Sequence, residues 1–389
     1  MKYSDAGVNI DLGDDVSRIL YNAARQTWKN REGKLGEVIE LFPDFSGLRA
    51  VHIGGLPLGT YMNMSFDGVG TKVELGERTE KHDTVAYDLF AMVCDDAVVR
   101  GAEPVLVGSI LDVNSLGNDG ESYIEQVKQL AKGYIDAARE AGVAVVNGEV
   151  AELGARVKGY GNFNYNWGAG VVWFANRDRM FTGREIKEGD SLVGLLEDGF
   201  RSNGISLLRK IMRKVHGDGW HNIMWKRGNV TLGQMALTPS RIYTRAVIDM
   251  FGGYSGEPKA EIHGIAHITG GGLPGKLARV LKPSGLGAVI NNPMKPSEFM
   301  LYTQALGNVS DEEAYKTWNM GQGMVIITPE PEKVQRIAGE YRITSQVIGE
   351  IVQTPRITIY NKGALSPKRN PNLTDESHFK KGPEELVFT

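Results

Sequence analysis

Short apolar runs alternate with amphipathic stretches along most of this 389-residue sequence, and glycines gather at the junctions between them. Alternation of this kind builds layered α/β structure, in which helices cover a sheet. Glycine contributes 49 residues, well above the roughly 7% of an average protein. No Gly-X-Y period runs through them, which excludes a collagen-like fibre. At a strand–helix junction, glycine adopts backbone angles closed to other residues and lets the chain approach a ligand closely. The addresses of these glycines therefore bear on what the chain can bind.

A chain of this length holds two or three domains and can bury a core without disulfides or metals. Lys and Arg number 44 against 47 Asp and Glu, a net charge of −3 that lacks the basic footprint of a nucleic-acid binder. The single cysteine, Cys94, cannot close an intramolecular disulfide and sits in the apolar run Leu89–Cys94, where a buried, inert thiol is expected. The opening Met1–Asp5 lacks the layout of a signal peptide, and no run of about 18 apolar residues is present to span a bilayer. A soluble cytoplasmic protein without membrane or nucleic-acid partners is the expectation.

Periodicity predicts helices over 14–28, with Asp14 as N-cap, 84–100 and 121–141, the last stopped by Gly142. Arg49–Ile53 and Thr60–Phe66 read as strands around the turn Gly54–Pro57, followed by strands Val105–Val113, Val143–Val146 and Gly168–Ala175. Around 176–190 the composition turns charged and turn-like, which places a domain boundary there. Beyond it, strands at 192–197, 264–269, 287–291, 323–328 and 346–352 alternate with helices at 204–215, 239–251, 273–282, 297–306 and 330–340. The expected organisation is a two-domain α/β (α+β) chain, with domains at 1–178 and 179–352. Residues 353–389 should form an edge strand at Ile357–Tyr360 and an extended polar tail.

Common phosphate and nucleophile motifs fail. Gly270–Lys276 nearly matches a P-loop, but Leu277 stands where the magnesium-binding Ser or Thr belongs, and Pro274 removes a backbone N–H. No Gly-x-Gly-x-x-Gly opens a helix, and Gly-x-Ser-x-Gly, His-Glu-x-x-His and Cys-x-x-Cys are absent.

Four strings survive. In Ser65–Lys72, Asp67 at a strand end is followed by Gly68, Gly70, Thr71 and Lys72, the inventory for a nucleoside triphosphate with magnesium. A solvated hairpin turn capped by Asp67 would use the same residues. Asp95 and Asp96 lie inside an apolar helical run with Asp88 two turns upstream, so a carboxylate there needs a partner, a metal or an exposed face. Glu149 follows an apolar strand and suits either an oxygen ligand beside Asp67 and Asp96 or the first turn of a helix. Finally, Arg201-Ser202-Asn203-Gly204 and Thr269-Gly270-Gly271-Gly272 each open a predicted helix, where free N–H groups attract phosphate or a cap. Together they suggest one anionic group per domain.

These strings resemble the phosphoribosylformylglycinamidine cyclo-ligase (aminoimidazole ribonucleotide synthetase) family. The resemblance runs from Tyr3–Asp11 to about Val352 through Ser65–Lys72, Lys81–Thr84, Gly101–Pro104, Leu237–Tyr243, His267–Pro274 and Asn319–Met324. It implies a homodimer whose N-terminal domains pair their sheets into a barrel, each followed by an α/β C-terminal domain. It implies ATP-dependent closure of formylglycinamidine ribonucleotide in purine biosynthesis, with magnesium. By position, Asp67, Asp96 and Glu149 match carboxylates for metal and nucleotide phosphates, with Gly68 and Gly70 beside them, and Thr71 and Lys72 would contact phosphate. Ser202, Asn203 and Gly270–Gly272 would bind the phosphoribosyl substrate, making Lys72, His82 and Asn203 the catalytic candidates.

The departures cluster near that site. Arg201 stands where the family commonly has His, Asp95 where it has Asn, and Lys276 where Asn is frequent. Ser109-Ile110-Leu111 aligns with an Asp-Tyr-Tyr segment, and Glu149–Gly154 replaces Glu-Thr-Ala-Glu-Met-Pro. Arg201 would then serve an anionic substrate through bidentate contacts. The alternatives are another ATP-dependent, kinase-like enzyme of the superfamily acting on a different small substrate, or a non-catalytic nucleotide-binding paralogue.

Overall fold

The computed structural model describes residues 10–42, 48–118, 121–226, 228–366 and 383–389, so the Tyr3–Asp11 marker lies almost wholly outside the described residues. The chain divides into two units, Met1–Val98 with Ala102–Asp178, and Val99–Gly101 with Arg179–Thr389.

The first unit begins with α1 (Ile10–Thr27), β1 (Val38–Phe42), β2 (Leu48–Val51), β3 (Thr60–Gly68), α2 (Val73–Thr79) and α3 (Val85–Val98). It continues with β4 (Ala102–Val113), the short β5 (Gly117–Asn118) and β6 (Glu121–Ser122), α4 (Ile124–Ala141), β7 (Ala144–Glu152) and β8 (Tyr165–Asn176). Its main sheet runs β3-β8-β4-β7. β8 is antiparallel to both neighbours, whereas β4 and β7 are parallel and joined by the α4 crossover. β1 and β2 form a separate ribbon, so the strands flanking Gly54–Pro57 do not pair as one hairpin.

Side chains alternate across the sheet. Tyr165, Trp167, Ala169 and Val171 share one row set with Val113, Leu111, Ser109 and Val107. The apolar members are buried, α3 packs on this sheet, and Tyr134 of the neighbouring α4 reaches Trp167 and Ser109 on it. Full burial of a large apolar side chain contributes about 1.5–3 kcal/mol, so this layer dominates the unit's stability. The other face is open: Met62, Met64, Phe66 and Ile110 are exposed, Phe66 by 73%. Gly142 adopts φ 74° and ends α4 as the sequence predicts.

The second unit contains β9 (Ser191–Leu196), α5 (Ile205–His216), α6 (Leu232–Ala236), α7 (Thr244–Phe251), β10 (Gly264–His267), α8 (Gly272–Leu281) and β11 (Gly287–Ile290). Then come α9 (Glu298–Leu306), α10 (Asp311–Thr317), β12 (Gln322–Thr328), α11 (Pro331–Glu340), β13 (Ser345–Val352), β14 (Ile357–Tyr360) and β15 (Glu385–Phe388). One seven-stranded sheet runs β10-β12-β9-β13-β11-β14-β15. Ile357–Tyr360 is therefore not the edge: β14 pairs with β11 on one side and β15 on the other. Glu385–Phe388, part of the expected tail, joins the sheet with Leu386 buried, and residues 367–382 of that tail lie outside the described residues. Among the described residues, no helix is long and apolar enough to cross a membrane.

Candidate active site

The end of β3 behaves as a junction, not a hairpin. After Gly68 the chain makes a 3-10 turn over Gly70–Lys72 and enters α2. Asp67, Gly70 and Thr71 are exposed there, and Asp67 Oδ1 accepts from the Gly68 amide at 2.7 Å. Gly70 holds φ 66°, a left-handed conformation that admits glycine readily.

Lys72 differs from its expected place. Its ammonium is fully buried and 2.8 Å from Asp88 Oδ1, itself fully buried on α3. That nitrogen is directed into the interior, so the expectation of a phosphate contact and catalytic role for Lys72 is not met. Asp95 is buried too, while Asp96 in the last turn of α3 is half-buried.

His82 is also removed from solvent, at 1% exposure. Its ring lies edge-on to Phe163 and Tyr165, with Nδ1 3.1 Å from the Tyr165 hydroxyl. Burial lowers its pKa to about 4 against a weaker opposing pull from Asp83. A neutral, enclosed imidazole does not fit the proton-transfer role expected of it. Beside it, Glu77 accepts from the amides of Tyr160 and Tyr165, and burial raises its pKa. Cys94 is the inert thiol expected: it is fully buried, and desolvation holds its pKa well above the usual value.

Glu149 lies on β7 itself, so it is not a helix-capping carboxylate. Strand pairing separates it from Asp67. Asp67 falls in the row of Ala169, Ser109 and Gly148, whereas Glu149 falls in the next row with Ile110 and Gly168. The two side chains thus leave opposite faces, on edge strands three spacings or about 14 Å apart. Among the described residues, no group of three His, Cys, Asp or Glu side chains is placed to hold a metal ion. Asp67, Asp96 and Glu149 therefore do not make the metal centre expected of them within one chain. Glu149 borders a cleft of about 670 Å³ on the open side of the sheet, whose lining also includes Met64, Phe66, Asp67, Ile110 and Asn166. At the former Asp-Tyr-Tyr position, Ser109 Oγ accepts from Tyr134 at 2.7 Å.

In the second unit the two glycine loops meet. Gly204 (φ 77°) precedes α5 and Gly271 (φ 93°) precedes α8, and neither helix start carries a side-chain cap. First-turn amides lacking an internal partner favour an anion. A side chain on Gly272 would collide with the Tyr315 carbonyl, so the loop's close packing requires glycine there. The Asn203 amide nitrogen lies 3.5 Å from where a side chain on Gly270 would begin. Ser202 Oγ and Asn203 Oδ1 are shielded from solvent without a hydrogen-bond partner among the described residues. Shielded polar atoms left unpaired are costly, and a bound polar ligand would satisfy them.

Sequence reasoning missed the cluster beneath these loops. Arg201 is 2% exposed; its Nη1 donates to Glu197 Oε2 at 2.7 Å and to the Arg241 carbonyl at 3.0 Å. Nη2 lies 2.6 Å from His267 Nε2, and the guanidinium stands 5.4 Å from the Tyr243 ring centre. The expected bidentate contact from Arg201 to an anionic substrate is thus replaced by internal bonds. The available signal was Glu197, an acid closing an apolar strand four residues before Arg201.

A four-stranded domain precedes the mixed sheet that carries these two helix starts, and both parts match models of AIR-synthase-related proteins. The N-terminal domain model of that description matches residues 50–172 and the C-terminal one residues 187–362. The cyclo-ligase of Methanocaldococcus jannaschii is 35% identical over 356 residues, covering 90% of this chain and 92% of that one. That of Symbiobacterium thermophilum is 35% identical over 370 residues, 92% and 98% of the two chains. The chain belongs to the phosphoribosylformylglycinamidine cyclo-ligase family. A thiamine-monophosphate kinase from Stenotrophomonas maltophilia shares the fold, with a TM-score of 0.57 at 11% identity over 85% of this chain and 93% of that one.

Proposed function

We propose that this protein closes formylglycinamidine ribonucleotide to aminoimidazole ribonucleotide using ATP, as a cytoplasmic homodimer in purine biosynthesis. The observation that carries the reading is the pairing of Ser202 and Asn203 with the Thr269–Gly272 loop. Two uncapped helix starts and two shielded, unpartnered oxygens suit the phosphate and ribose of such a substrate. The nucleotide phosphates belong at the β3 end, where Asp67, Gly68, Gly70 and Thr71 present a carboxylate, backbone amides and a hydroxyl. Magnesium binds mainly through nucleotide oxygens and water, with one or two carboxylates. Asp67 would supply one, and no three-carboxylate cage is required.

An amide oxygen leaves poorly, so its phosphorylation creates the electrophilic carbon that the substrate's own amidine nitrogen attacks, and phosphate departs. Positioning and neutralisation of charge supply the catalysis. Asn203 holds the substrate in this scheme, and neither Lys72 nor His82 moves a proton. The exposed apolar face carrying Met62, Met64, Phe66 and Ile110 would be covered by the same face of a second copy. Incubation with ATP, magnesium and formylglycinamidine ribonucleotide should yield aminoimidazole ribonucleotide and ADP. ADP without that product would assign the chain another substrate.

A further inference from the structure

Arg201 and His267 occupy the roots of the two glycine loops. Arg201 immediately precedes Ser202, and His267 is the last residue of β10, two positions before Thr269. Their nitrogens meet at 2.6 Å with both side chains buried. A guanidinium carries donors only. A hydrogen bond at this contact requires His267 Nε2 to be the acceptor, in a neutral ring with its proton on Nδ1. Arg201 is itself held from the other side by Glu197, whose carboxylate also lies 3.3 Å from the Arg241 amide and 3.3 Å from the Tyr243 hydroxyl.

We propose that Arg201 is a positioning residue for the phosphoribosyl loops: acting through Nε2 of His267, it sets the spacing between Ser202–Asn203 and Thr269–Gly272 without touching the substrate. The proposal rests on the reading that these loops bind the ribonucleotide. Lysine would substitute poorly, since one ammonium cannot span Glu197, the Arg241 carbonyl and His267 with a planar fork.

The test compares Arg201→Met, His267→Leu, His267→Gln and the double variant Arg201→Met/His267→Leu with the wild-type enzyme. Arg201→Met and His267→Leu should each raise KM for the ribonucleotide about tenfold or more, with KM for ATP little changed. The side-chain carbonyl of His267→Gln offers Arg201 an acceptor and should recover most of that loss. The double variant should be no worse than Arg201→Met alone, because the contact that His267→Leu removes is already lost in that variant. Additive losses, or an unchanged ribonucleotide KM in Arg201→Met, would overturn the proposal. Nitrogen-15 NMR of the imidazole gives a reading independent of turnover. Wild-type His267 should show an Nδ1–H tautomer with an acceptor Nε2, and Arg201→Met should lose that signature; a protonated or Nε2–H ring in the wild type refutes the clamp. Failure of the wild type to form aminoimidazole ribonucleotide would instead sink the proposed function, leaving the clamp to be judged by NMR.

Discussion

Lys72 Nζ and Asp88 Oδ1 are 2.8 Å apart, and neither side chain is exposed to solvent. A lysine two residues after a conspicuous glycine turn thus anchors that turn to helix α3 instead of reaching outward. Removing one partner of a buried ion pair costs about 3–5 kcal/mol, whereas replacing both with apolar groups costs far less. Lys72→Met should lower the urea midpoint strongly, and Lys72→Met/Asp88→Leu should recover most of it. A single variant with wild-type stability would contradict the anchoring role.

Asp67 stands at the exposed end of β3. Asp67→Asn should abolish ATP turnover while leaving the circular dichroism spectrum and melting temperature near those of the wild type. Persistent ADP formation would move the nucleotide site elsewhere.

His82 gives the protein a sloping acid limb. Its native pKa is about 4 against an ordinary 6.5, so the unfolded chain takes up the proton first. Its contribution is complete above pH 6.5, declines as pH falls toward 4 and ceases to change below that, about 3 kcal/mol in all. His82→Leu should flatten the loss of melting temperature between pH 6.5 and 4. An unaltered slope would show that other groups set it.

At Gly272, φ is 61° and a side chain would meet the Tyr315 carbonyl. Gly272→Ala should therefore distort the loop, raising KM for the ribonucleotide about tenfold or more with ATP affinity preserved. A fully active alanine variant would remove this loop from the substrate site.

The sequence disclosed what depends on near neighbours. Periodicity located α4 and the strands of the second unit to within a few residues, and glycines beside polar residues marked the starts of α5 and α8. Distant pairings were illegible. Lys72 finds Asp88 only because the turn before α2 folds against α3, and Arg201 finds His267 66 positions away. The separation of Asp67 from Glu149 follows from the strand order β3-β8-β4-β7, which local pattern does not encode. β15 escaped notice because four residues in a polar, proline-containing segment carry too little pattern to register.

That last strand bears on how the protein is handled. The C-terminal family match stops at residue 362, yet β15 at Glu385–Phe388 shields the outer edge of β14. An expression boundary drawn at the end of the match would strip that cover and leave backbone donors and acceptors of β14 available for strand-to-strand aggregation. An affinity tag fused after Thr389 would be separated from the last residue of β15 by a single residue.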